Sequence, residues 1–298
     1  MTGERFLAET LTYFKTKDRL TLYCKAKLAD PGKASIVFMH GVGEHIGRYQ
    51  EAFAAFSGQG YDCFGFDQRG FGRSEGERGH VDRFSDYADD LAIFIDDIVH
   101  LSPIKPVFLF GHSMGSIVAL DYALNYPDQI QGLLIFSCPI KLDSYLATLG
   151  SYVANDWSAI MPTFKIPNFI DPRALSNNPS NIAAFSSDPY AFSKVSISWL
   201  REFTQARTTV LNQAQNITLP VLVSHGEADT IAALSGAMAL FKSLSSKDKT
   251  LNIYPDMKHE LLNHATEQRA KVLADAFAWL DRQCAKQSLE RATIGTTL

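Results

Sequence analysis

Cysteine is scarce in this chain, and long apolar runs are missing. The 298 residues include 4 cysteines, Cys24, Cys63, Cys138 and Cys284, which lie far apart and form no C-x-x-C pair. We therefore expect neither a zinc site nor a disulfide framework. No stretch reaches the ~18 apolar residues of a membrane span, and the first residues lack the apolar core of a secretory signal. A reducing, cytoplasmic location is the default expectation.

An excess of charge of one sign is also missing. The 28 basic and 32 acidic residues leave a net charge of -4, so we do not expect the basic surface that a nucleic-acid backbone requires. Hydrophobic residues make up 46% of the chain and charged residues 20%, which is typical of globular proteins. The composition predicts a compact protein that does not bind nucleic acid.

What the sequence does contain is an alternation of short apolar runs with helical patterns. Residues 11–28 alternate apolar and polar side chains, which predicts an antiparallel hairpin. Continuous apolar runs, which predict strands buried on both faces, occupy residues 35–39, 107–110, 133–136 and 221–223. Helical spacing of apolar residues occurs at 49–59, 84–99, 114–125, 234–244 and 265–286. This order predicts an α/β fold in which a mostly parallel sheet carries helices on both faces and binds ligands at the carboxyl ends of its strands.

One region interrupts the alternation. From residue 139 to about residue 200 no strand-like run appears, and six of the 12 prolines fall there. We interpret residues 139–205 as a mainly helical cap, inserted between core segments 1–138 and 206–290 and followed by a frayed tail at 291–298. The cap is rich in aromatic residues and poor in charge, which favours an apolar ligand.

The chemistry is concentrated in Gly111-His112-Ser113-Met114-Gly115. This G-x-S-x-G match follows an apolar run and opens a helical pattern, which is the strand, sharp turn and helix of a nucleophile elbow. Glycine at both outer positions relieves crowding in such a turn. We expect Ser113 to be a nucleophile, supported by the helix N-terminus beside it.

A serine hydroxyl needs a base and a group that orients the base. Asp229 follows the run at 221–223, and His259 follows the apolar residues 251–254, so the order Ser113, Asp229, His259 is that of α/β-hydrolases. Glu227 and Asp256 are alternative acids. His264 is an alternative base, although its place at a helix start favours a capping or surface role. We interpret His225 as a buried histidine bonded to backbone.

The oxyanion formed during attack by Ser113 requires hydrogen-bond donors. The N–H of Met114 is one candidate, and the N–H of Val42, in the His40-Gly41-Val42-Gly43 loop after residues 35–39, is the other. The same loop, with Asp67 further along, resembles a dinucleotide-binding fingerprint. That alternative is poor because the third glycine is one residue late and Glu44 would place a carboxylate near the pyrophosphate.

Several longer motifs carry a family resemblance. They are H-G-x-x-E-H-x-x-R-Y at residues 40–49, D-Q-R-G-F-G-R-S-E-G at 67–76 and R-G-H-V at 78–81, followed by the Ser113 elbow. With these motifs the chain resembles the monoacylglycerol lipase and lysophospholipase group of α/β-hydrolases over nearly its whole length. The resemblance implies the α/β-hydrolase fold, the triad Ser113, Asp229 and His259, and the oxyanion donors Val42 and Met114.

The resemblance also implies that Glu44 and Arg48 lie near the polar head group of the substrate. The alternative is an i, i+4 ion pair that shapes their loop, and the two roles are compatible. Two positions depart from the family pattern: Ser116 replaces a glycine that usually follows the elbow, and Leu262 replaces a second histidine of the animal enzymes.

We therefore expect a serine esterase without metal or cofactor, whose partner is an acyl-ester lipid, monoacylglycerol first and lysophospholipid second. Two alternatives stay open at this point. The first is a peptidase or thioesterase that uses the same triad, and the second is a non-catalytic ligand receptor with a hydrolase-like fold. The sequence does not indicate an oligomeric state.

The cap contains one apolar stripe at helical spacing, formed by Leu142, Leu146, Leu149, Val153 and Trp157. The stripe either packs on the core or lines the acyl tunnel, or part of it faces outward and docks on a lipid surface. In the second case membrane contact would be weak, peripheral and insensitive to salt, because the segment contains few basic residues.

Overall fold

The computed structural model of the protein describes residues 10–101, 106–142, 160–168 and 170–295. Its centre is an eight-stranded sheet. The strands of this sheet are β1 (Thr10–Lys15), β2 (Thr21–Lys27), β3 (Ala34–Met39), β4 (Tyr61–Phe66), β5 (Val107–His112), β6 (Gly132–Phe136), β9 (Val221–Gly226) and β10 (Lys249–Tyr254). Their order across the sheet is β1-β2-β4-β3-β5-β6-β9-β10. The pair β1 and β2 is the predicted antiparallel hairpin.

From β4 to β10 every pairing in this sheet is parallel. Strands β3, β5, β6 and β9 are buried along their whole length, because helices cover both faces of a parallel sheet. Parallel pairing also brings the carboxyl ends of these strands to one edge. The residues that follow them are therefore neighbours in space although they are distant in sequence.

Helices cover the sheet in two layers. The helices of the described chain are α1 (Gln50–Gly58), α2 (Ser85–Asp97), α3 (Met114–Asn125), α4 (Pro172–Leu175), α5 (Pro179–Ser187), α6 (Ile197–Gln213), α7 (Leu234–Ser243) and α8 (Thr266–Gly295). Apolar side chains of α2, α3, α6 and α7 form the core on one face of the sheet. Helices α1 and α8 form the core on the other face, around Phe53, Phe56 and Trp279.

The segment between β6 and α6 differs from the sequence prediction in one respect. It contains two short strands, β7 (Lys165–Pro167) and β8 (Lys194–Ser196), which pair antiparallel, so the prediction of no strand in this region was wrong. Three-residue strands show no periodicity, and their pairing depends on contact between distant parts of the chain. Helix α6 runs through residue 205, where the sequence suggested the end of the cap; the division into core and cap stays a prediction.

Side-chain caps and prolines define the helices of this segment. Asp171 accepts a hydrogen bond from the N–H of Arg173 at the start of α4, and Asn178 accepts one from Ser180 at the start of α5. In both helices a proline occupies the first turn, where no N–H is needed. Apart from Leu142, the apolar stripe predicted for the cap lies outside the described residues.

At the C-terminus, α8 continues to Gly295 and so includes the first part of the segment expected to be a frayed tail. The extension is accounted for by a run of good helix formers, Leu289, Glu290, Arg291 and Ala292.

None of the helices in the described ranges combines the length and the apolar character that crossing a membrane requires.

Candidate active site

Ser113 lies in the sharp turn between β5 and α3. Its backbone has φ 52° and ψ -123°, a strained conformation for a residue with a side chain. The turn is held by a hydrogen bond from the Ser113 N–H to the Phe136 carbonyl, 3.0 Å long, and by another from the Ser116 N–H to the Ser113 carbonyl, 2.9 Å long. This geometry presents the side chain at the carboxyl edge of the sheet.

The two outer glycines of the motif allow this turn to pack closely. A Cβ atom on Gly115 would collide with the carbonyl of Met39 in β3, and one on Gly111 would lie 2.6 Å from the Cα of Ser116. Glycine is therefore required for steric reasons on both sides of Ser113. Ser116, which replaces the usual glycine, donates its hydroxyl to the Ser113 carbonyl at 2.6 Å.

His259 and Asp229 complete a hydrogen-bonded chain with Ser113. The distance from His259 Nε2 to Ser113 Oγ is 2.9 Å, and that from His259 Nδ1 to Asp229 Oδ2 is 2.7 Å. Asp229 Oδ1 accepts from the N–H groups of Ile231 and Ala232 at 2.8 and 3.0 Å. All three side chains of the predicted triad are buried.

The electrostatics of Asp229 suit an orienting carboxylate. Burial by itself raises the pKa of this carboxyl, but the charge of His259 and the hydrogen bond from it lower the pKa more, so that the net shift is downward. Asp229 is therefore ionised at neutral pH and accepts the Nδ1 proton of His259.

The residues that the sequence offered as alternative acids or as an alternative base do not belong to this hydrogen-bonded chain. Glu227 and Asp256 are exposed to solvent. His264 Nε2 accepts from the backbone N–H of Lys258 at 3.0 Å, so His264 has a structural role. His225 is buried and its Nε2 lies 2.9 Å from the Ala232 carbonyl, as expected for a histidine bonded to backbone.

The loop after β3 passes beside the nucleophile. A Cβ on Gly41 would lie 3.2 Å from the Cβ of Ser113, and Val42 and Ser113 line the same cavity. In the described part of the chain, neither the Val42 N–H nor the Met114 N–H has a hydrogen-bond acceptor. Both amides are thus available to an oxyanion.

Glu44 and Arg48 belong to a buried polar network behind this loop. Glu44 Oε1 accepts from the Gly41 N–H at 2.6 Å and from the Tyr49 hydroxyl at 2.8 Å. Arg48 Nε donates to Glu44 Oε2 at 3.3 Å, which is the i, i+4 ion pair considered from the sequence. Arg48 Nη2 also donates to both carboxylate oxygens of Glu260, at 2.8 and 3.0 Å. Glu260 was not predicted from the sequence, where its signal is a carboxylate directly after His259.

Asp67, the acidic residue of the weak dinucleotide pattern, holds backbone instead. Its two carboxylate oxygens accept from the N–H groups of Ile46 and Arg73, at 2.7 and 2.8 Å. The residue thereby orders the loop that carries Glu44 and Arg48. Both of its carboxylate oxygens are engaged in these backbone contacts, which does not favour the role of binding a ribose.

An apolar cavity leads to Ser113. Its described wall residues are Val42, Ser113, Pro139, Leu142, Ile166, Pro167, Asn168, Ile170, Val195, Trp199, Leu200, Phe203 and Ile231. Within this described wall, Ser113 and Asn168 are the polar side chains, and no residue is charged. A wall of this composition favours an apolar ligand.

The chain matches the family described as serine aminopeptidase, S33, over residues 30–266. This match covers well over half of the 298 residues, and the chain therefore belongs to this family of serine hydrolases.

Individual relatives carry names more specific than that of the family. The monoglyceride lipase of Mus musculus is 31% identical over 281 residues, which cover 93% of this chain and 92% of the relative. The monoacylglycerol lipase of Mycolicibacterium smegmatis is 28% identical over 252 residues, covering 84% and 89% of the two chains. The crystal structure of the Paleococcus ferrophilus monoacylglycerol lipase has a TM-score of 0.81 at 28% identity and covers 88% of this chain and 99% of that one. These similarities confirm the predicted fold and the resemblance to the monoacylglycerol lipase group.

Proposed function

We propose that this protein is a serine esterase that hydrolyses single-chain acyl lipids, with monoacylglycerol as its preferred substrate. The observation that carries the proposal is the junction of a hydrogen-bonded Ser113, His259 and Asp229 with an uncharged apolar cavity. The relatives named monoglyceride or monoacylglycerol lipase support the same substrate class.

In the proposed reaction, Ser113 Oγ attacks the ester carbonyl carbon and transfers its proton to His259 Nε2. The carbonyl oxygen becomes an oxyanion that the N–H groups of Val42 and Met114 stabilise. His259 then gives the proton to the leaving alcohol oxygen, the C–O bond breaks, and an acyl-Ser113 intermediate remains. Water, activated by His259, hydrolyses this ester and releases the fatty acid, while Asp229 stabilises each imidazolium.

The substrate part of the proposal assigns the acyl chain to the cavity and the polar head group to its mouth. Glu44 and Arg48 are not among the described wall residues of the cavity, so they would act on the head group from behind the loop that carries Val42, a place that is compatible with their ion pair. Lysophospholipid is the second substrate because it presents the same single acyl chain on a larger alcohol.

An aminopeptidase, as the family description would suggest, needs a carboxylate to bind the free ammonium group of its substrate. The described wall of the cavity contains no Asp or Glu side chain. The ester function is therefore the better supported of the two.

A substrate panel tests the proposal. Purified wild-type protein is assayed on monoacylglycerols of graded chain length, a lysophosphatidylcholine, a p-nitrophenyl ester and an aminoacyl p-nitroanilide, with Ser113→Ala as the control. We expect hydrolysis of monoacylglycerol, slower hydrolysis of the lysophospholipid, and no activity in the variant. Cleavage of the anilide without the lipids would assign a peptidase, and labelling of Ser113 by a fluorophosphonate without turnover of any substrate would assign a receptor.

We also propose that the cap makes weak peripheral contact with membranes. The described residues that follow the predicted stripe are strongly exposed although apolar: Ile160 is 77% exposed, Met161 40% and Phe164 52%. These exposed apolar side chains lie two to six residues before Ile166, which lines the cavity, and such a group favours a lipid surface as its partner. The contact would let a monoacyl lipid pass from a bilayer to Ser113.

A further inference from the structure

His112, the residue before the nucleophile, connects the elbow to the loop that carries the base. It is the last residue of β5, and its ring is buried. Ring atom Nδ1 lies 3.0 Å from Glu44 Oε1, and Nε2 lies 3.2 Å from the carbonyl oxygen of His259. The function proposed above assigns no role to this ring.

The hydrogen-bond partners determine how many protons the ring carries. A backbone carbonyl can only accept, so Nε2 must bear a proton. Glu44 accepts from the Gly41 N–H through Oε1 and from Arg48 Nε through Oε2, and the positive charge of Arg48 favours the ionised form of this carboxyl group. An ionised carboxylate has no proton to donate, so Nδ1 of His112 bears a proton as well.

In the other buried histidines with two partners, at least one ring nitrogen does not face an atom that can only accept. In His259 this nitrogen is Nε2, which faces the Ser113 hydroxyl. His40 Nε2 accepts from the N–H of Gln68, His264 Nε2 accepts from the N–H of Lys258, and His45 Nδ1 accepts from the N–H of Gly47. Each of these rings has one nitrogen that must be unprotonated. In the part of the chain that the structure describes, His112 is the buried histidine whose two nitrogens both face obligate acceptors.

The charged groups around His112 compensate a positive charge on its ring. From the loop after β3 it faces the carboxylate of Glu44, with Arg48 and the Tyr49 hydroxyl behind it. From the loop after β10 it faces Glu260, which is paired with Arg48, and the ring of His259, whose centre is 5.0 Å away. Burial lowers the pKa of His112, but the hydrogen bond and the charge of Glu44 outweigh it and raise the pKa overall. The same contact lowers the pKa of Glu44 despite its burial.

We propose that His112 is a doubly protonated imidazolium that positions the catalytic base. The His259 carbonyl oxygen accepts two hydrogen bonds, one from His112 Nε2 and one from the Ser137 hydroxyl, whose oxygen is 2.6 Å from it. The loop that carries the base is thereby tied to the residue adjacent to Ser113. A neutral His112 would have to give up one of its two hydrogen bonds, either to Glu44 or to the His259 carbonyl.

The bond from His112 to the His259 carbonyl also has a consequence for turnover. His112→Gln should lower kcat by about tenfold, the effect of one lost charge-assisted hydrogen bond, and leave KM nearly unchanged.

The decisive measurement is NMR of protein labelled with 15N-histidine, which needs no turnover. At pH 8 we expect one histidine with a proton on both ring nitrogens, absent from the His112→Gln spectrum and converted to a neutral ring by Glu44→Gln. A His112 signal with one unprotonated nitrogen at that pH would overturn the proposal. If His112→Gln does not fold, the Glu44→Gln comparison alone decides.

The kinetic arm rests on the proposed esterase function and uses a short p-nitrophenyl ester. His264→Gln is the matched control, since it removes another buried ring from the same loop region, and its kcat should stay near that of the wild type. An unchanged kcat in His112→Gln, or a change confined to KM, would contradict the positioning role. Absence of ester hydrolysis in the wild type would instead contradict the proposed function and leave the NMR result intact.

Discussion

At the scale of single residues, Asp229 is constrained by more than the base it contacts. Two backbone N–H groups bind its Oδ1 atom, which directs Oδ2 toward His259. Because the pKa of Asp229 is lowered in the folded protein, its ionised form contributes stability at neutral pH. That contribution is lost in acid, as the pH falls from the ordinary carboxyl range through the lowered pKa.

Asp229→Asn should lower kcat by on the order of 10³ to 10⁴ with little change in KM, because an amide favours the wrong tautomer of His259. Steady-state kinetics on a monoacylglycerol or a p-nitrophenyl ester would measure the loss. Asp256→Asn is the matched control: it makes the same change at an exposed position near His259, and its turnover should equal that of the wild type. If Asp229→Asn keeps near wild-type turnover, the acid lies elsewhere.

At the scale of elements, the elbow depends on the contact between α3 and β3. Gly115, in the first turn of α3, lies against the Met39 carbonyl at the end of β3. The contact places the start of α3, and with it the Met114 N–H, beside the loop that contains Val42. Any side chain at Gly115 must separate these elements.

Gly115→Ala should therefore destabilise the protein by about 1 to 3 kcal/mol or more, as overpacking of a rigid contact does, and should reduce ester hydrolysis in the fraction that folds. Urea unfolding followed by circular dichroism measures the change. Gly58→Ala is the control, because a Cβ there meets nothing within 4 Å at the end of α1, and it should be neutral or stabilising by up to about 1 kcal/mol. Equal stability of the two variants would show that α3 can move away from β3 at no cost.

At the scale of the whole molecule, the exposed apolar residues and part of the cavity wall come from the same region of the chain, the predicted cap. Leu142 and Ile166 line the cavity, while Ile160 and Phe164 face solvent. The proposed lipid contact therefore involves residues that are close in sequence to the cavity wall.

Ile160→Asp should reduce binding to phosphatidylcholine vesicles on the order of tenfold, because it removes the apolar area that drives insertion. Vesicle co-sedimentation at low and high salt would measure this, and hydrolysis of a short soluble ester should be unchanged. Met238→Asp makes the same kind of change at an apolar residue that is 51% exposed on α7, and it should bind vesicles as the wild type does. Absence of vesicle binding by the wild type at either salt concentration would rule out the membrane contact.

Sequence patterns alone predict the alternation of strands and helices, the elbow around Ser113 and the order of the three triad residues. These features are local: a strand, a sharp turn and a helix succeed one another within 107–125, and α3 has the bounds predicted for it. Apolar periodicity and glycine positions record such local geometry directly.

The folded structure was needed to exclude the alternative acids, to show what Arg48 binds and to show how His112 is protonated. All three acidic residues follow predicted strands, but Asp229 is buried beside His259, whereas Glu227 and Asp256 are exposed. The contacts of His112 with Glu44 and His259 span 68 and 147 residues of sequence, and that of Arg48 with Glu260 spans 212. The parallel sheet creates these contacts by bringing the carboxyl ends of distant strands together, and no local pattern in the sequence records which side chains then meet.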